Sequence, residues 1–147
     1  MNDEYYMNIA YKEALKASNK DEIPVGAIIV KYNKIIARAH NERESKMNVL
    51  KHAEITVIDK ACKKISNWRL LGCTIYVTML PCPMCASAIN QSRISKVVYG
   101  TIPDNVNYSL IEEILNDKKY GQPVEIVGNV LKDECSKIIK DFFQKKR

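Results

Sequence analysis

The sequence predicts an α/β fold, a three-layer α-β-α sandwich built on a five-stranded mixed sheet. Three observations point there. Five short β-rich runs stand out, at residues 26–31, 35–39, 73–78, 96–100 and 124–128. The first two are so close that they form a hairpin and pair antiparallel. The rest alternate with helical patterns, which calls for parallel strands with helices on both faces. A chain of 147 residues is long enough for one domain with a real core.

Each element has its own signal. Tyr5, Ile9, Ala10, Ala14 and Ala17 recur at helical intervals over residues 4–18, and Ser18-Asn19 ends the run. "GAIIVK" and "IIARA" are apolar strands joined at Tyr32-Asn33. A polar stretch, 41–48, leads into "KHAEITVIDKACKK", where Ala53, Val57, Ile58 and Ala61 share one helical face. "CTIYVT" is a buried strand, residues 82–91 a helix of small residues, and "KVVYG" a further strand. "TIPDNVNYS" reads as a loop from its turn residues, and a helix is predicted from about Leu110 to Asn116. "VEIVG" is the last strand and "LKDECSKIIKDFFQKK" the last, amphipathic helix.

Composition excludes several classes. No run is long enough to span a bilayer, and the N-terminus lacks the basic-then-apolar order of a secretory signal. A cytoplasmic protein is expected. Five cysteines, an odd number in a core-forming sequence, favour a metal site over a disulfide framework. The net charge of +6 suits a polyanionic partner, though a Lys-rich composition accounts for it equally well.

The chemistry concentrates in two places. "HAE" puts His52 and Glu54 at the start of the second helix, and "PCPMC" puts Cys82 and Cys85 at the start of the third. Cysteines at i and i+3 share one side of a helical turn, and a helix N-terminus favours thiolate over thiol. One imidazole and two thiolates make three ligands for zinc and leave the fourth position to water, whose pKa then falls to about 7. Softness of the donors favours zinc over harder ions. Glu54 is not needed to complete the site, but a carboxylate there can move protons between water and a leaving group. A closed structural site would draw its fourth ligand from Cys62, Cys73, Cys135 or His40. It would leave Glu54 idle, and the second CxxC or HxxxH it calls for is missing. H-x-E followed by P-C-x-x-C is the pattern of zinc nucleobase deaminases.

With these residues in view, the chain resembles the cytidine-deaminase-fold enzymes, most closely the bacterial tRNA-specific adenosine deaminases. "EIPVGAIIV", "AHNERE", "HAE", "NWRLLGCTIYVT", "PCPMCASAI", "SRISKVVYG" and "ECSKIIKDFF" follow in that family's order. The resemblance implies zinc held by His52, Cys82 and Cys85, Glu54 as proton shuttle and a homodimer. It implies that Asn41 bonds the flipped base, that Ile23, Pro24 and Val25 wall the pocket, and that Ala53 and Leu80 also touch substrate. An amide can pair with donor and acceptor edges of a purine; the lesser alternative for Asn41 is a loop cap.

The chain departs from the family at three points. Leu80 replaces a glutamate before the PCxxC motif, where the backbone carbonyl is expected to meet the departing amino group. Leu50 and Lys51 replace small residues before "HAE". "TIPDNVNYSLIEEI" replaces a longer, Gly-rich loop, and "NVNY" is similar to fungal cytosine deaminases. The expected reaction is wobble adenosine to inosine in the tRNA anticodon arm. The alternative is deamination of a free base or nucleoside such as cytosine or guanine. Lys145, Lys146 and Arg147 could meet phosphates, or simply solvate a helix end. His40 is expected to end a strand, Cys62, Cys73 and Cys135 to be buried, and Trp68 to anchor the turn between helix and strand.

Overall fold

A computed structural model describes residues 2–146, so Arg147 lies outside the described residues. In chain order the elements are α1 (Asp3–Asn19), β1 (Gly26–Lys31), β2 (Lys34–His40), α2 (Ala53–Ile65) and β3 (Cys73–Met79). They continue with α3 (Pro83–Gln91), β4 (Lys96–Thr101), α4 (Tyr108–Leu115), β5 (Glu125–Val127) and α5 (Lys132–Lys145). The sheet runs β2-β1-β3-β4-β5, with β1 antiparallel to both neighbours and the β3-β4-β5 side parallel.

Local chemistry explains the elements. Asn2 caps α1 by accepting the Tyr5 N–H at 2.9 Å. Tyr32 and Asn33 both have positive φ, 52° and 61°, as the tight turn of a right-twisting hairpin requires. Pro83 opens α3 at a position where its missing N–H costs nothing. One element starts earlier than the sequence predicts. α4 begins at Tyr108, because the Asn107 side chain accepts the Leu110 N–H at 3.1 Å and caps the helix inside the expected loop.

The central strands β1, β3 and β4 are buried on both faces, and their alternate residues feed two cores. Ala27, Ile29, Ile75, Val77, Val97 and Tyr99 pack with Val57 and Ala61 of α2, Ile89 of α3, and Ile111 and Leu115 of α4. Ile28, Val30, Tyr76 and Val98 pack with Tyr6, Met7 and Ala10 of α1 and Cys135 of α5. α1 approaches β1 so closely that a Cβ on Gly26 would strike the Ala10 carbonyl oxygen.

Two side chains differ from their expected environment. Trp68 does not anchor the α2–β3 connection from within. It is 52% exposed, and the Arg69 and Arg93 guanidinium groups lie 4.2 and 5.5 Å from its ring centroid. Cys62 is only partly buried, whereas Cys73 and Cys135 are core residues. His40 does end β2, its Nδ1 3.1 Å from the buried Glu13 carboxylate.

Candidate active site

Two helix N-termini converge beside the C-terminal end of β3. His52 is the N-cap of α2 and Cys82 the N-cap of α3, yet neither side chain caps its helix. Those positions ordinarily go to Ser, Thr, Asp or Asn. Here the side chains face each other instead. Cys82 Sγ lies 3.6 Å and Cys85 Sγ 3.4 Å from His52 Nδ1. Donor atoms of all three lie within 4.8 Å of one another. Bond lengths of 2.0–2.1 and 2.3 Å around a tetrahedral zinc would put nitrogen and sulfur about 3.6 Å apart. The donor set and its spacing fit such an ion, and no fourth His, Cys, Asp or Glu joins the cluster among the described residues.

Electrostatics bind the three into one unit. Cys82 is lowered to about 4, by hydrogen bonding from the Cys85 thiol first and also from His52. Cys85 is pushed up because it donates to Cys82 and is buried. His52 is raised, chiefly by its bond to Cys82. A metal takes thiolate and neutral imidazole as ligands, so its binding would release protons from these groups.

Glu54 is 4% exposed on the first turn of α2. Burial, joined by the Cys82 charge, pushes its carboxyl up to about 7 despite the nearby His52. A carboxyl in this state can both take and give a proton near neutral pH.

The cluster opens into a cavity of about 410 Å³, within the range of small-molecule sites. Its walls include Ile23, Val25, Asn41, Ala53, Glu54 and Leu80, as expected, but Pro24 is buried outside the lining. Leu50 and Lys51 are not part of the wall either. Asn41 proves to be both loop cap and wall: Nδ2 donates to Ile23 O at 3.2 Å, and Oδ1 accepts the Arg43 N–H at 3.2 Å. An amide has two N–H and two acceptor sites, so one of each remains for a ligand. Leu80 spends its N–H on Thr101 O at 2.8 Å.

Sequence reasoning missed half of the wall. Arg43 stands at it, and Pro103, Asn105, Val106, Asn107, Leu110 and Ile111 line it from the segment after β4. The available signal was topological. β3 and β4 are parallel neighbours, so the segment after β4 must lie beside the metal motif after β3.

Comparison with known proteins adds four findings. A MafB19-like deaminase family model matches residues 1–147. A tRNA-specific adenosine deaminase of Bacillus subtilis (strain 168) is 45% identical over 146 residues, covering 99% of this chain and 91% of that protein. A structure from work on A-to-I editing by tRNA:A34 deaminases at the wobble position superposes with a TM-score of 0.83 at 31% identity, covering 91% of this chain and 98% of that one. A guanine deaminase structure from Bacillus subtilis is 38% identical with a TM-score of 0.67, but covers 69% of this chain and 66% of its own.

Proposed function

The chain belongs to the MafB19-like deaminase family, and we propose that it is a zinc-dependent enzyme converting wobble adenosine to inosine in the tRNA anticodon arm. One observation carries the chemistry: Glu54 is buried beside three convergent metal donors at one end of a mainly apolar cavity. The similarity to tRNA-specific adenosine deaminases over nearly the whole chain supports the substrate. Zinc on His52, Cys82 and Cys85 would supply a Lewis acid that brings water's pKa to about 7.

The chain's own residues do the rest. Glu54 takes a proton from the attacking water and passes it to the ring nitrogen beside C6. It then carries the remaining proton, from the hydroxyl added at C6, to the amino group, so that the C6–N bond breaks, ammonia leaves and a carbonyl remains. Asn41 orients the base through its spare N–H and lone pair, between the Ile23–Val25 wall and the 103–107 segment. The Leu80 carbonyl receives the amino group as it departs. The positive charge suits an RNA partner, and the enzyme works in the cytoplasm as a homodimer.

A second reading, deamination of free guanine or a related base, draws on the guanine deaminase structure and on the altered segment after β4. The chemical step is tested apart from the substrate. Glu54→Ala lowers kcat by about 10³-fold or more with zinc still bound at one per chain. Cys82→Ser and Cys85→Ser lose zinc, measured by metal analysis. Turnover surviving in Glu54→Ala would remove Glu54 from the mechanism.

A further inference from the structure

We propose that Glu22 is a positioning residue for the base-binding wall: its buried carboxylate grips loop 42–51, whose two ends are Asn41 and His52. The inference rests on reading the cavity as a nucleobase pocket.

The loop has little else to hold it. Residues 43–50 are exposed. The loop closes on itself where the Glu42 N–H donates to Lys51 O at 2.9 Å, and internal bonds such as Asn48 N–H to Arg43 O at 3.1 Å shape its turns. Among the described residues, its only hydrogen bonds to a distant part of the chain go to Glu22. The Glu44 N–H donates to Oε1 at 3.0 Å and the Ser45 N–H to Oε2 at 2.7 Å. Glu22 is 1% exposed, and both its oxygens are used. Burial opposes its ionisation, but the Ser45 and Glu44 N–H groups outweigh that and hold the carboxyl below its ordinary range.

This grip is continuous with the pocket. Ile23, the next residue, lines the cavity, and its carbonyl accepts the Asn41 amide. The Asn41 N–H donates to Val25 O at 3.0 Å. Residues 22–25 are therefore laced to residues 41–45 by four hydrogen bonds, and Glu22 supplies the two farthest from the cavity. Without them the loop is free to carry Arg43 away from the wall and loosen Asn41. His52 is held independently, since its carbonyl accepts the Thr56 N–H within α2 and its ring faces both cysteines. Glu22 should therefore govern base binding more than metal binding.

Glu22→Gln keeps the shape but turns an NH₂ group toward one of the two N–H donors. The expected result with a wobble-adenosine tRNA is a KM raised about tenfold, with kcat within about threefold of wild type, as for one lost hydrogen bond in substrate binding. Zinc stays at one per chain. Amide hydrogen exchange should quicken in 42–51 and hold steady in β1 and β3. Should Glu22→Gln fail to fold, Glu22→Asp, which keeps the charge but is too short to span both donors, takes its place. A KM within about twofold of wild type, unchanged exchange in the loop, or a loss shared by kcat and zinc content would each overturn the proposal. Wild type inactive on tRNA would instead overturn the substrate reading, and loop exchange would then decide the role of Glu22.

Discussion

Glu54 occupies a position that is costly for a carboxylate and useful for a proton carrier. Its folded pKa of about 7, against an ordinary 4.5, means that the folded chain binds this proton more tightly than the unfolded one. Stability of the metal-free protein therefore falls as pH rises from 4.5 to about 7, and the full penalty is present above that. Glu54→Gln removes it. In chelator, the variant should melt above wild type near pH 8, by on the order of 3 kcal/mol, and the gap should close near pH 4. Equal melting temperatures near pH 8 would show that burial does not penalise the charge. His52, Glu54, Cys82 and Cys85 were legible in the sequence because each pair is fixed by local spacing at a helix start. Glu22 was not: its partners lie 22 and 23 residues away, and no local pattern announces them.

α3 carries the metal motif at one end and a structural clamp at the other. Asn90, 2% exposed, places Nδ2 3.0–3.1 Å from the carbonyls of Leu115, Asp117 and Gln122. It thus ties α3 to the end of α4 and to the segment leading into β5. Asn90→Ala removes these bonds, leaving the Leu115 carbonyl with only the Val124 N–H, and should cost about 2–4 kcal/mol. Exchange should quicken across residues 115–124, while a change below about 0.5 kcal/mol would deny the clamp. Strands and long helices followed from apolar periodicity, and the hairpin from two apolar runs set close together. The start of α4 did not, because Asn107 serves equally as a turn residue or a helix cap, and only the Leu110 N–H decides between them. Trp68 was misread for a related reason. An apolar ring between helix and strand reads as an anchor for the turn, but it lies half exposed beside two arginines.

The whole molecule places its chemistry through strand order. With β1 antiparallel and β3 and β4 parallel, the hairpin exit, the metal motif and the segment after β4 all emerge at one end of the sheet. The family pattern fixed two of these three walls in advance. The third comes from the segment after β4, where Pro103, Asn105, Val106, Asn107, Leu110 and Ile111 line the cavity. The direct measurement is to incubate zinc-loaded protein with a tRNA bearing adenosine at the wobble position, in parallel with free cytosine, guanine, adenine and their nucleosides. Products are read by mass spectrometry. Inosine at the wobble position with the small molecules untouched is the predicted result. Turnover of a free base or nucleoside with the tRNA unchanged would contradict it.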